Sequence, residues 1–413
     1  MAIVRPFRAV RPSRELADKV VSLPYDVMNR DEATQMAEGN PYSFLHICRS
    51  EIDLPDQANP YDASVYEKAK SNIDEYLCNE ILIREEKPML YIYQQMMDGR
   101  MQTGIVGCVS IDEYLNNVIK KHEFTRVEKE IDRINHFDVC NTNTEPVFLT
   151  YRDNKKIRML VDGWISSQEA EYDITTADGI RHMLWPVKDN ETVSGLVHLF
   201  AEIPAFYIAD GHHRSASACK VGLKRREEHP GYTGDEEFNY FMAVIFPDAD
   251  LQIFDYNRVV KDLNGLSATA FLSEVEAAGF IVEKKETGIY TPEVKHDFGL
   301  FLEDSWYKVT AKPEIIPAHV TDSLDVAILQ QKILGPILGI QDPRTDKRID
   351  FIGGIRGLGE LERRVKTDMK VAFAVYPVNI TDLLAVSDAD MVMPPKSTWF
   401  EPKLGSGLFL HEL

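Results

Sequence analysis

No apolar run in this chain approaches the ~18 residues that a membrane-spanning helix requires, and the opening Met1-Ala2-Ile3-Val4-Arg5-Pro6 carries no apolar signal region. Cysteine is sparse: five in 413 residues (Cys48, Cys78, Cys108, Cys140, Cys219), with no Cys-x-x-Cys pair. That excludes a disulfide-stapled scaffold and a four-cysteine zinc site, and the expectation is reduced thiols in a cytoplasmic protein. Basic charge is also short, 46 Lys and Arg against 66 Asp and Glu, for a formal net charge of −20. Such a balance argues against non-specific binding to nucleic acid or to an anionic membrane. Several catalytic signatures are missing too. There is no Gly-x-x-x-x-Gly-Lys-Ser/Thr phosphate loop and no Gly-x-Ser-x-Gly elbow. The glycines of residues 353–359 have the wrong spacing for a dinucleotide fingerprint and lack its later acidic partner, so they read as a turn.

What is present is an ordinary globular composition, 44% hydrophobic and 27% charged, in a chain long enough for two or three domains. Strands and helices mix without a strict βαβ repeat, which predicts an α+β fold with mixed sheets. The expected division is an N-terminal α/β region with a β-hairpin (1–110), a phosphate-binding core (111–250) and a C-terminal α/β region (251–413). The hairpin is predicted around Asp98-Gly99. Further strand pairs are predicted at 146–151 with 158–161 and at 241–246 with 251–254, and helices at 65–78, 193–202, 268–278 and 323–336.

The most informative segment is Asp210-Gly211-His212-His213-Arg214. An apolar strand pattern (205–209) precedes it and a small-residue helix pattern (215–218) follows. The glycine permits a tight turn, and the helix begins with unpaired N–H groups, a positive dipole end, two imidazoles and a guanidinium. This arrangement suits an anion, most naturally phosphate; its plainer reading is a charged, solvated helix start. The adjacent His212 and His213 are poorly spaced to be two zinc ligands from one helix.

Three other clusters carry polar chemistry. His122-Glu123 stands before a charged helix, where Glu123 is a candidate general base; the same stretch also reads as a solvated start with Thr125 and Glu128 forming a capping box. Pro394-Pro395-Lys396-Ser397-Thr398, with Lys403 beyond, places two lysines and two hydroxyls among prolines, suiting phosphate or carboxylate recognition. The tail is therefore expected to return to the phosphate site, and its removal after Pro394 to leave most of the fold intact. In Pro24-Tyr25-Asp26-Val27, Asp26 reads either as a turn-stabilising residue or as a ligand to Mg2+ or a substrate amine, and Asn29 as a helix cap.

Taken together, these motifs resemble the ParB/sulfiredoxin-like superfamily, in which a Gly-x-x-Arg helix start binds nucleotide phosphates. Within it the free L-serine kinases share, in the same order, a His-Glu pair, the Asp-Gly-His-His-Arg turn and a late Pro-Lys-Ser/Thr-Thr. Over its whole length the chain also looks like a large bacterial family related at a distance to those kinases, in which residues 24–27 and 396–403 are typical. The first two clusters stand further apart here than in the compact kinases, so the resemblance implies insertions, and residues 1–110 have no counterpart there. It implies a ParB/sulfiredoxin-like nucleotide-binding core. It further implies a phosphotransferase that moves a phosphoryl group from ATP or ADP to the hydroxyl of free L-serine. Glu123, beside His122, would be the base. His212, His213 and Arg214 would hold phosphates, Asp210 would orient the phosphate site or its Mg2+, and Lys396, Ser397 and Thr398 would close over phosphate or substrate. The expected partners are a nucleotide and a small hydroxyl amino acid, with no nucleic acid and no membrane. The alternative is a ParB-like regulator that binds nucleotide without turnover; sulfiredoxin-like redox chemistry would need a cysteine where His212 or His213 stands.

Overall fold

A computed structural model describes residues 2–413 and divides the chain into two compact units. The first takes the chain up to Lys121, then Thr125–Leu251 and Pro402–Leu413; the second takes His122–Phe124 and Gln252–Glu401. Both mix helices with sheets, so the fold is α+β. No helix among the described residues is long and apolar enough to cross a membrane.

The first unit is built on an eight-stranded mixed sheet. Its order is Ile119–Lys120, Phe206–Asp210, Val147–Tyr151, Tyr240–Pro247, Arg100–Ser110, Leu90–Met97, Arg181–Val187 and Tyr172–Thr175. The predicted hairpin joins Leu90–Met97 to Arg100–Ser110, and Asp98 and Gly99 both take positive φ (52° and 79°). That is the backbone a two-residue turn needs to match the twist of its strands. The central strands Val147–Tyr151 and Phe206–Asp210 are nearly all buried and carry Phe148, Leu149, Phe206 and Ile208 into the core. A second cluster packs Phe44, Leu45, Ile47, Ile73 and Tyr76 under Leu410.

Three local expectations are corrected. Residues 158–161 lie in a helix, Lys155–Ser167, rather than a strand. Asn154 caps it by accepting from the Lys156 amide (2.9 Å). Its apolar residues Ile157, Leu160, Val161 and Trp164 repeat with helical spacing and pack on the core. The strand Gln252–Phe254 pairs with Trp399–Glu401 rather than with Tyr240–Pro247, whose neighbours are Arg100–Ser110 and Val147–Tyr151. The Thr125–Glu128 capping box does not form. The helix is Val127–Cys140 with Arg126 at its uncapped start, and the Thr125 hydroxyl donates instead to Glu130 (2.7 Å). Asn29 caps Arg30–Ala37 as expected, in a box closed by Glu32.

The second unit holds a six-stranded sheet ordered Phe280–Lys284, Ser305–Ala311, Asp297–Leu302, Val371–Val375, Tyr256–Val260 and Ile349–Gly353, with every neighbouring pair antiparallel. Residues 353–359 make a turn that includes the short 3-10 segment Gly354–Arg356.

Candidate functional site

Strand Phe206–Asp210 ends at Gly211, which takes φ 94° and ψ 31°, and the 17-residue helix His212–Glu228 begins directly after it. Its N-cap residue is that glycine, which brings no capping side chain of its own. The positive end of the helix dipole therefore faces the turn. Space here is tight: a Cβ on Gly211 would lie 3.1 Å from Arg214 Nε. His213 accepts at Nε2 from the Arg126 amide (3.0 Å), which puts the imidazole proton on Nδ1.

Arg214 is the electrostatic centre of this region. Its side chain is 3% exposed, Nη1 donates to the Pro146 carbonyl (2.7 Å) and Nη2 lies 3.9 Å from Asp210. Its Nε–H, beside the Gly211 turn, has no hydrogen-bond partner among the described residues. Burial alone would lower the Arg214 pKa, but Asp26, Asp210 and Glu145 outweigh it and hold the guanidinium charged. Asp210 is its closest acid: Oδ1 accepts from the Gly211 amide (2.9 Å) and Oδ2 from Lys403 Nζ (3.2 Å). Burial pushes the Asp210 carboxyl up, but Lys403 and Arg214 hold it well below the usual carboxylate range. Asp26, on the 3-10 segment Tyr25–Val27, is exposed and heads the acids acting on Arg214.

Lys403 arrives on a tail that is part of the fold. Leu404, Leu408, Phe409 and Leu410 are 4%, 1%, 1% and 0% exposed. Gln95 donates to the Lys403 carbonyl (2.7 Å), Tyr93 accepts from the Gly405 amide (3.1 Å), and Ser406 donates to Glu145 (2.7 Å). The expectation that the tail can be removed with most of the fold intact is therefore corrected: it fills the first unit's core.

In the second unit the structure gathers the other candidates. The His122 carbonyl accepts from the Met393 amide (2.8 Å), and Thr398 Oγ1 lies 3.5 Å from His122 Nε2. Glu123 follows, half-buried. Ser397 is turned inward, donating to the Pro394 carbonyl (2.5 Å), so its hydroxyl holds the loop. Lys396 takes φ 57°, its carbonyl accepts from Arg258 Nη2 (2.9 Å), and its ammonium lies over the Tyr256 ring (5.4 Å). Arg258 is buried with no carboxylate paired to it among the described residues, and burial lowers it to about 10.

A magnesium ion at Asp210 fits poorly. The described residues contain no cluster of three His, Cys, Asp or Glu able to hold a metal, and both Asp210 oxygens already accept hydrogen bonds. The geometry makes Asp210 an ion-pair partner for Arg214 and Lys403. Sequence reasoning missed Glu145, Arg133, Ser406 and Arg258. Of these only Glu145 left a trace, as a lone carboxylate before the wholly apolar start of Val147–Tyr151.

Residues 4–327 match the model of the family described as "Protein of unknown function (DUF1015)", and the chain belongs to that family. No curated protein matches it. Among solved structures it is similar to a conserved hypothetical protein from Pyrococcus furiosus, at 14% identity and TM-score 0.36 over 73% of this chain and 95% of that one. A free serine kinase in complex with AMP gives 12% identity and TM-score 0.37 over 73% and 92%. SbnI with C-terminal truncation from Staphylococcus aureus gives 10% and 0.40 over 74% and 87%. Likenesses this distant carry neither activity nor substrate to the present chain.

Proposed function

For this member of the DUF1015 family we propose a small-molecule phosphotransferase that holds nucleotide phosphates at residues 211–214 and phosphorylates the hydroxyl of free L-serine. The observation that carries the reading is the buried Nε–H of Arg214, which has no hydrogen-bond partner among the described residues, beside the Gly211 turn where the helix His212–Glu228 begins. A helix N-terminus alone attracts anions weakly, whereas a desolvated guanidinium donor at the same turn favours a doubly charged phosphate. Pro146 fixes the guanidinium, so little reorganisation is needed when the anion arrives. Asp210 keeps Lys403 at the turn, and an incoming phosphate can take up that ammonium.

Phosphoryl transfer asks the protein for cationic positioning and an oriented nucleophile more than for covalent chemistry. The motif resemblance assigns the proton-accepting role to Glu123, with His122 beside it, and closure over phosphate or substrate to Lys396, Ser397 and Thr398. Ser397, whose hydroxyl is spent within its own loop, has the role of shaping that loop. The acceptor and the donor, ATP or ADP, rest on the resemblance alone.

The test is phosphorus NMR of the pure protein with ATP or ADP, a magnesium salt and a panel of hydroxyl metabolites. Formation of O-phospho-L-serine supports the reading. Nucleotide binding without turnover of any acceptor would replace it with the nucleotide-binding regulator, and absence of nucleotide binding would remove both.

A further inference from the structure

We propose that Glu145 is a positioning residue for the anion site, holding on one carboxylate oxygen the segment that carries Asp26 and the segment that brings Lys403 to Asp210, the ion-pair partner of Arg214. The inference rests on the reading of residues 211–214 as a phosphate site. Glu145 lies just before strand Val147–Tyr151 with a side chain 0% exposed. Its Oε1 accepts from the Tyr25 amide (3.3 Å) and from the Ser406 hydroxyl (2.7 Å). Tyr25 precedes Asp26 in sequence, and Ser406 stands on the same buried turn as Lys403. One oxygen thus ties together parts of the chain that are hundreds of residues apart.

The surroundings make this bond directional. The Ser22 and Ser406 backbones pair in both directions (3.1 and 2.9 Å), so the two segments move together. Gln95, itself held by Gln102 (2.8 Å), and Tyr93, held by His182 (2.5 Å), fix the backbone on either side of Leu404. Burial lowers His182 to about 4, so the imidazole is neutral and its Nδ1 accepts the Tyr93 proton. Arg133 closes the far side: its guanidinium lies over the Tyr25 ring (4.0 Å), bonds Asp132, and places Nη1 3.9 Å from Glu145 Oε2. Neither of those last two atoms has a hydrogen-bond partner among the described residues. Glu145 is thus aimed by Arg133 and spends its hydrogen bonds on the two segments. It also acts on Arg214 through space, as one of the acids that keep that guanidinium charged.

A purely structural glutamate would lower stability when its contacts are lost and leave ligand affinity in the remaining folded protein unchanged. A positioning residue acts through Lys403, and a double-mutant cycle detects that. The probe is ADP, titrated calorimetrically into the full chain well below its melting temperature, for wild type, S406A, K403M, the S406A/K403M pair, and R214A. S406A removes only the hydroxyl that Glu145 holds, and S406C replaces it should S406A not fold. The expected result is a loss of affinity of about tenfold for S406A, shrinking to about twofold or less in the K403M background. E145A is expected to follow S406A, with a larger loss. Equal losses with and without Lys403, or an S406A affinity within about twofold of wild type, would overturn the inference. If R214A abolishes binding while S406A is neutral, only the positioning role falls; if folded wild type binds no ADP, the phosphate reading falls and takes the role with it.

Discussion

Gly211 and Arg214 are two residues that cannot be changed independently. Gly211→Ala meets two penalties together, a positive φ of 94° and a Cβ placed 3.1 Å from Arg214 Nε. The left-handed backbone costs roughly 1–2 kcal/mol for a residue with a Cβ. Urea unfolding should show a loss of that size, and nucleotide affinity should fall with it because the guanidinium is displaced. Arg214→Ala removes a charged donor, worth ~1.5–3 kcal/mol in a hydrogen bond, so ADP binding should weaken about tenfold or more by calorimetry. Glu123→Gln keeps the side chain's shape and removes its basicity. Affinity should stay near wild type while turnover falls ~10²–10⁴-fold, the contribution typical of a general base. Equal loss of affinity in both variants would reverse this assignment of roles.

Among the secondary-structure elements, those of the carboxyl-terminal segment have the largest consequence. Its strand His411–Glu412 pairs with Thr142–Asn143, and Leu410 bridges Val10. Truncation after Glu401 should therefore unfold the first unit, visible as dye-accessible apolar surface and lost near-ultraviolet dichroism, rather than leave a folded, inactive protein. The helix Arg30–Ala37 gives a smaller effect of known sign: Asn29→Ala breaks its capping box and should cost about 1 kcal/mol. Helices and strands with a clear hydrophobic period are legible in the amino-acid order alone. Lys155–Ser167 carries such a period in Ile157, Leu160, Val161 and Trp164, but the stretch 158–161 taken by itself, apolar only at Met159, Leu160 and Val161, is too short to separate a strand from a buried helix face. Gln252–Phe254 is a strand in sequence pattern and in structure, but local pattern says nothing of which distant strand will satisfy its backbone.

In the molecule as a whole, buried titrating groups set the response to pH. Burial raises Asp325 to about 7, although the His296 amide donates to both its oxygens (3.0 Å). Its folded pKa lies above the ordinary 3.8, so its contribution to stability is complete below that value and is lost as pH rises through 7. Asp325→Asn should remove that slope in urea titrations between pH 4 and 7. His46 runs through a different pair. The Asp53 hydrogen bond (2.7 Å) raises the imidazole against the pull of burial; burial raises Asp53, but the His46 and Asn72 hydrogen bonds bring it below 3.8. The His46 contribution is full below the ordinary 6.5 and fades as pH climbs past its raised value; that of Asp53 is full above 3.8 and fades as pH falls through its lowered value. His46→Gln should flatten stability on the alkaline side while leaving the Asp325 slope in place. Nucleotide should raise the melting temperature of the intact protein, by about 2.7 kcal/mol of added stability at a hundredfold excess over Kd.

The Asp-Gly-His-His-Arg turn follows from amino-acid order alone, because an apolar strand, an obligatory glycine and a helix start are dictated by neighbours along the chain. The hairpin at Asp98-Gly99 and the Asn29 cap follow in the same way. Long-range folding sets which charges surround Arg214. Asp26, Glu145 and Lys403 are far apart in sequence, and nothing in their local pattern sets the electrostatics they share. Neither does local pattern show that Lys403 sits on a buried turn, since Pro and Gly around it read equally well as a loop on the surface. Those placements depend on long-range burial of Leu404 to Leu410 and on one carboxylate satisfying donors from both ends of the chain. Buried hydrogen bonds must be closed somewhere, but only the folded backbone determines by whom.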